Sequence, residues 1–122
     1  MPHTLALQLR YADIDGLGHV NNARYATYAE TGRLAYLREV GVDVSGLILA
    51  RLELDFKRPV HFGDAASVES RVTRVGNTSF TMEHRVVVDG VLCCAVSSVV
   101  VCFDYAAEAP TRVPESIRAL VE

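Results

Sequence analysis

Hydrophobic residues alternate with polar or small ones over most of this chain, and a period of two predicts β-strands. Residues 4–11 carry leucine at positions 5, 7 and 9, and residues 48–57 alternate apolar with charged side chains. Three further alternating runs follow at residues 67–75, 79–88 and 91–103. Short turn-forming segments separate these runs, and Asp89 with Gly90 is a preferred two-residue hairpin turn, so we predict antiparallel strands.

One long segment, residues 22–40, lacks this alternation and is predicted to be a helix. Asn21 can cap its start, and Gly41 supplies the left-handed residue that commonly ends a helix. Small residues recur at every third position along it: Ala23, Ala26, Ala29, Gly32 and Ala35. Because small side chains allow close approach, we predict that a curved sheet cradles this helix.

The last predicted strand is apolar on both faces, although a single helix can cover only one of them. An uncovered apolar face on a small domain favours association, so we predict a homodimer. Cys93 and Cys94 are adjacent in this strand and should point to opposite faces. With Cys102 they make an odd count, which indicates buried reduced thiols.

Length and composition limit what the chain can be. It has 122 residues, half of them hydrophobic, which predicts a single domain over residues 1–122. The formal charge of −3 and the absence of a basic run argue against nucleic-acid binding. The N-terminus has no signal-peptide pattern and no segment is long enough for a membrane span, so we expect a cytoplasmic protein without a membrane partner.

The candidate chemistry lies in the turn between the first strand and the helix, where Asp13, Asp15, His19, Asn21 and Asn22 cluster. The first turn of a helix exposes unpaired N–H groups beside the positive end of the macrodipole. Asp15 could attack an acyl carbonyl or deprotonate a water, while the Asn22 N–H holds the oxyanion. A thioester suits this small set of groups, because a thiol with a pKa of about 8.5 leaves readily.

Other interpretations of these residues remain open. Asp13 and Asp15 with the neighbouring glycines could simply build a turn. His19 could be a base, but a supporting hydrogen-bonding role is at least as common. His84 lies on an apolar strand face, which favours a neutral histidine in the core or at an interface. Calcium is excluded because Arg24 stands where an EF-hand needs glutamate, and no zinc spacing or activated cysteine is present.

The motif R-Y-x-D-x-D-x-x-G-H-V-N-N-x-x-Y, at residues 10–25, resembles that of the hotdog-fold acyl-CoA thioesterases. The following helix with Glu30 and Arg33, and the later segment DFKRPVHFGD, extend the likeness over almost the whole chain. It is most similar to the 4-hydroxybenzoyl-CoA thioesterase branch. The resemblance implies an α+β fold in which a five-stranded antiparallel sheet wraps around a central helix.

The resemblance also implies a function: hydrolysis of an acyl-CoA without metal or redox cofactor, in a homodimer or homotetramer whose active sites use both subunits. By position, it implies that Asp15 is the catalytic aspartate, that Asn22 supplies the polarising amide and that Gly18 is the loop glycine. His19 is expected to support catalysis. The expected substrate contacts are Gly18, Asn21, Tyr25, Glu30, Arg58 and Arg74.

Two departures from the family pattern narrow these expectations. Some relatives have histidine where this chain has Asn22, so a histidine-assisted mechanism does not transfer and an aspartate-only route remains. Relatives also hold the CoA phosphates with a basic cluster near the third hairpin, where this chain has Arg74. The alternatives are a non-catalytic acyl-CoA-binding hotdog module and, with less support, a hydratase that uses Asp15 and His19.

Overall fold

The computed structural model describes residues 2–122. The strands are β1 (His3–Ala6), β2 (Leu47–Phe56), β3 (Ala66–Val75), β4 (Ser79–Val88), β5 (Val91–Asp104) and β6 (Ala109–Pro110), and the helices are α1 (Arg24–Glu39) and α2 (Glu115–Arg118). The four long strands lie within one residue of their predicted bounds at each end. None of the helices in residues 2–122 has the length and apolar character needed to cross a membrane.

The strands form one antiparallel sheet in the order β1-β3-β4-β5-β2, and the two-residue β6 pairs with β5. Helix α1 contacts each of the strands β1 to β5, so the sheet wraps around it as predicted. Buried side chains of α1 and of the inner sheet face form the core. The sheet ends at β2 on one side, where a ten-residue strand has β5 as its only neighbour in the described chain.

The first strand is shorter than predicted. β1 ends at Ala6, and Tyr11–Asp13 forms a 3-10 turn instead of continuing the strand to residue 11. The reason lies in its partner: Ala6 pairs with Ser67, and the Leu7 N–H donates to the Ala66 carbonyl at the first residue of β3. Beyond that point β3 offers no further residues for pairing.

The helix also starts later than predicted, at Arg24 instead of residue 22, and it ends at Glu39. Gly41 adopts the expected left-handed conformation, with φ of +83°. Its N–H donates to the Arg38 carbonyl, and the Val42 N–H donates to the Leu37 carbonyl, which closes the last turn. The predicted stop signal is therefore confirmed.

Cys93 and Cys94 do not point to opposite faces, and that prediction was wrong. A β-bulge shifts the register of β4 and β5 between the Val86–Cys94 and Val87–Leu92 pairs. The extra residue brings both cysteine side chains into the same core cluster, where each is buried. The three cysteines are free and buried, as predicted, and burial raises the pKa of each thiol.

The prediction of a neutral core histidine at position 84 is confirmed. The His84 ring is hydrogen-bonded through Nδ1 to Ser70 Oγ at 2.8 Å and through Nε2 to Ser98 Oγ at 3.2 Å. Burial, with a smaller contribution from the charge of Arg33, lowers the pKa of His84 to about 3. This network lies under the middle of α1, because Gly32 packs directly against Ser70.

Candidate active site

The polar turn of the motif folds into a small hairpin between the 3-10 turn and α1. Ile14 and Val20 form an antiparallel bridge, and the Asp15 N–H donates to the His19 carbonyl at 2.9 Å. Gly18 takes a φ of +87°, and its N–H donates to the Asp15 carbonyl at 3.2 Å. A residue with a side chain rarely adopts this backbone conformation, which explains the need for glycine at the tip.

Asp15 lies at the base of this hairpin, with a quarter of its side chain exposed. Its Oδ1 atom accepts a hydrogen bond from the Leu17 N–H at 2.8 Å. Its Oδ2 atom lies 3.6 Å from Nδ1 of His19. The carboxylate is thus oriented through one oxygen, and the other lies beside a histidine.

The entry to α1 leaves one backbone donor open. The Asn21 side chain accepts a hydrogen bond from the Ala23 N–H at 2.9 Å, and the Asn21 carbonyl accepts one from the Arg24 N–H at 2.9 Å. The Asn21 N–H itself donates to the Asp13 carbonyl at 2.8 Å. Within residues 2–122 the N–H of Asn22 has no hydrogen-bond acceptor, so it is free to bind an oxyanion.

Asn22 also borders a surface groove of about 190 Å³. It is lined by His19, Val20, Asn22, Tyr25, Phe56, Lys57, Arg58 and Pro59. The Tyr25 and Phe56 rings meet edge to face, with centroids 5.5 Å apart, and form its apolar side. Burial raises the pKa of Tyr25, so this phenol is neutral at physiological pH.

Long-range pairing brings residues 56–59, which line one side of the groove, next to residues 19–25, which line the other. The Val20 N–H donates to the Val60 carbonyl at 2.7 Å, and His19 bridges to His61. The carbonyl of Cys93, at the β-bulge, accepts hydrogen bonds from the N–H groups of Lys57 and Arg58 at 2.8 and 3.1 Å. The bulge therefore fixes a turn that carries two cationic side chains at the groove.

The predicted site residues divide into three groups. His19, Asn22, Tyr25 and Arg58 meet in the groove, and Asp15, Gly18 and Asn21 belong to the adjoining hairpin and turn. Glu30 and Arg74 lie elsewhere in the described chain: Glu30 is exposed on α1, and Arg74 borders a different pocket with Ser79 and Val99. The charge of Glu30 acts instead on Arg33 of the same helix, where it partly offsets the lowering of the Arg33 pKa by burial.

Phe56 and Lys57 line the groove, and neither was predicted as a site residue. Asp13, which the sequence placed in the candidate turn, is buried with hydrogen bonds to Tyr28 and Arg10 and borders a different pocket. The sequence offered one signal for Lys57, its place next to Arg58. For a metal, no group of three histidine, cysteine or acidic side chains within residues 2–122 is arranged as a ligand set.

Comparison with protein-family models matches residues 9–121 to the thioesterase-like superfamily. Among solved structures, a thioesterase from Thermus thermophilus in complex with coenzyme A and Zn superposes with a TM-score of 0.87 at 33% sequence identity. The match covers 95% of this chain and 88% of that protein. Structural neighbours of this kind confirm the α+β hotdog fold, with the short β6 added to the expected five strands.

Two curated relatives are more distant. The chloroplastic acyl-acyl carrier protein thioesterase ATL3 of Arabidopsis thaliana is 28% identical over 67% of this chain and 47% of its own length. YneP of Bacillus subtilis, assigned provisionally by name to the acyl-CoA thioesterases, is 28% identical over 52% of this chain and 51% of its own length. The chain spans about half the length of these relatives. By the family match over residues 9–121, the chain belongs to the thioesterase-like superfamily.

Proposed function

We propose that this chain hydrolyses an acyl-CoA thioester to a free acid and CoA, as a member of the 4-hydroxybenzoyl-CoA thioesterase-like branch. The observation that carries the proposal is that two residues meet in one partly apolar groove: Asn22, whose N–H has no acceptor within residues 2–122, and His19, which lies 3.6 Å from the half-buried carboxylate of Asp15. An acyl group in the groove would direct its carbonyl oxygen to this donor. The negative charge that develops there is stabilised by a preorganised dipole.

Asp15 could drive hydrolysis of the thioester by either of two routes. As a nucleophile, its carboxylate adds to the thioester carbon and expels CoA thiolate, and water then hydrolyses the resulting anhydride to regenerate the carboxylate. As a general base, it takes a proton from a water that attacks the same carbon, and the departing thiolate recovers that proton. His19, 3.6 Å from Asp15 Oδ2, supports the carboxylate in either route.

The remaining residues receive binding roles. Tyr25 contacts the acyl group, and Gly18 and Asn21 shape the loop over the thioester. Arg58 offers a cation to the phosphates of CoA. Glu30 and Arg74 do not line the groove of their own chain, and we propose that they reach a substrate across a subunit boundary.

That boundary forms, in our proposal, along β2. This edge strand has ten residues, and Leu49 and Phe56 on it are 43% and 49% exposed. A long unpaired edge with exposed apolar side chains favours pairing with another strand. Two copies related by a two-fold axis would pair their β2 strands antiparallel and continue the sheet, giving a homodimer or a dimer of two such dimers.

We further propose that the chain acts as a single domain in the cytoplasm. Three buried free cysteines fit a reducing compartment. The proposed reaction needs no metal or redox cofactor, because the carboxylate, the backbone donor and water supply every proton and electron pair that it uses.

A thiol-release assay across straight-chain, branched and aromatic acyl-CoAs, with an acyl carrier protein thioester included, tests this function. We expect release from at least one acyl-CoA, and loss of at least about 100-fold in kcat for Asp15→Asn. Asp43→Asn is the matched control, because Asp43 lies in the exposed loop after α1, where Ser45 is the one hydrogen-bond partner of its carboxylate among residues 2–122.

Two results of the thiol-release assay would contradict different parts of the proposal. Acyl-CoA binding without thiol release from any substrate would make the chain a binding module. Normal release by Asp15→Asn would remove the aspartate mechanism while leaving the activity in place.

A further inference from the structure

Asp13 is buried next to the candidate site, with 2% of the residue exposed. Its Oδ2 atom accepts hydrogen bonds from Tyr28 Oη at 2.8 Å and from the Arg10 N–H at 3.2 Å. Its Oδ1 atom accepts one from the Arg10 guanidinium at 3.0 Å and lies 3.6 Å from Arg24 Nε. Because both oxygens are enclosed and occupied, this carboxylate is not available to a substrate.

The main chain of Asp13 holds the base of the hairpin. Its carbonyl accepts the Asn21 N–H at 2.8 Å, and its own N–H donates to the Arg10 carbonyl at 2.9 Å. Asp15 follows two residues later, and Asn22 comes directly after Asn21. Asp13 is therefore part of the limb that leads to the carboxylate of Asp15, and it is hydrogen-bonded across to the limb that leads to the open N–H of Asn22.

Tyr28 connects this base to the helix. It belongs to α1, near the start, and 4% of the residue is exposed. Burial, followed by the hydrogen bond to Asp13, raises the pKa of Tyr28 and keeps its hydroxyl a donor. The Asp13–Tyr28 bond thus fixes the hairpin to the same helix that begins two residues after Asn22.

We propose that Asp13, held by Tyr28, is a positioning residue that sets the separation between the Asp15 carboxylate and the Asn22 N–H. This inference rests on the proposed thioesterase function. The physical reason is the sensitivity of catalysis to geometry, since a displacement of about 1 Å can cost roughly 100-fold in rate. A purely structural Asp13 would affect stability and leave the turnover of the folded protein unchanged.

The test compares Tyr28→Phe with Ser98→Ala. Tyr28→Phe deletes the hydroxyl that bonds to Asp13, and Ser98→Ala deletes a buried hydroxyl that bonds to His84 in the network under the middle of α1. We expect similar losses of thermal stability. For Tyr28→Phe, kcat should fall about 10-fold or more with KM within about threefold of wild type, whereas Ser98→Ala should keep the wild-type kcat.

Amide hydrogen exchange gives a second measurement that needs no activity. The Asp15 and Asn21 N–H groups are hydrogen-bonded in the hairpin, so their exchange should accelerate in Tyr28→Phe and not in Ser98→Ala. Wild-type kcat and unchanged exchange in Tyr28→Phe would overturn the positioning role. If the wild-type protein releases no thiol, the proposed function fails, and faster exchange at both amides would still support the anchoring of the hairpin by Asp13.

Discussion

Gly32 of α1 lies directly against Ser70 of β3. A Cβ atom on the glycine would lie 2.7 Å from Ser70 Oγ and 2.9 Å from Val68 Cγ1, both closer than such contacts allow. Ser70 cannot turn aside freely, because its Oγ is hydrogen-bonded to Nδ1 of His84 at 2.8 Å. The helix therefore approaches the sheet at a distance that depends on glycine.

Gly32→Ala should destabilise the protein. In an exposed helix the change would stabilise by about 1 kcal/mol, because alanine has the higher helix propensity. Here the added methyl group has no room, and overpacking should lower the free energy of unfolding by about 1–3 kcal/mol. Urea unfolding at neutral pH measures the difference.

Gly16→Ala is the control for this prediction, because a Cβ atom there would meet no atom of residues 2–122 within 4 Å. Its free energy of unfolding should stay within about 0.5 kcal/mol of wild type. An unchanged or increased stability of Gly32→Ala would show that the helix can move away from the sheet.

The buried His84 should make stability depend on pH. Its pKa of about 3 in the folded protein lies below the ordinary value of 6.5. Between these values the unfolded chain binds a proton that the folded chain does not, so stability falls as pH decreases below about 6.5. Well inside this window the contribution of the single site is about 1.4 kcal/mol per pH unit.

Urea unfolding of wild type and His84→Gln from pH 4.5 to pH 7.5 isolates this contribution. Glutamine keeps hydrogen-bonding groups near Ser70 and Ser98 but cannot take up the proton. In the variant, the slope of the free energy of unfolding against pH should therefore be smaller by the equivalent of about one bound proton. If the free energies of unfolding of the two proteins ran parallel with pH, His84 would take up its proton equally in the folded and unfolded states.

Local patterns explain why so much of the fold could be predicted from the sequence. Alternation over each long strand is set by burial of one sheet face, and each tight turn needs residues that can adopt its backbone angles. Asp89 and Gly90 adopt φ values of +51° and +76°, as a two-residue hairpin of this type requires. These features depend on near neighbours in the chain, which a sequence shows directly.

The parts that could not be predicted depend on distant partners. β1 ends where β3 offers no more residues, and the bulge at Cys93 appears only in the register of β4 and β5. The groove combines Asn22 with Phe56 because Val20 pairs with Val60, a contact that no local spacing reveals. The motif could locate the turn with Asp15, but the residues on the opposite side of the groove could be identified only from the tertiary structure.

Arg58→Gln should weaken substrate binding without changing the chemical step. Arg58 lines the groove, and within residues 2–122 its side chain has no ion-pair partner. Loss of the cation that we propose contacts the CoA phosphates should raise KM for acyl-CoA about 3- to 10-fold with kcat within about twofold. The difference should shrink at high ionic strength, because the side chain is exposed.

Arg38→Gln is the matched control for charge. Arg38 is exposed in the last turn of α1, so its loss changes the net charge equally at the opposite end of the helix. Steady-state kinetics at low and high salt compare the two variants. Equal increases in KM would mean that the overall charge of the protein, and not a contact of Arg58, governs the binding of acyl-CoA.

Leu49→Glu should break the proposed homodimer. Leu49 lies on the edge strand β2 and is 43% exposed in the single chain. If two β2 strands pair, the substitution places an unpaired charge at the interface and should raise the dimer Kd at least about 100-fold, or ~2.8 kcal/mol. Val91→Glu is the control, since Val91 is 42% exposed at the β4–β5 hairpin, away from that edge. Light scattering after size exclusion at micromolar concentration should give a dimer mass for wild type and Val91→Glu and a monomer mass for Leu49→Glu.

A dimer that survives Leu49→Glu would place the contact on another surface. A monomeric wild type would remove the role that we propose for Glu30 and Arg74 in an active site shared between subunits.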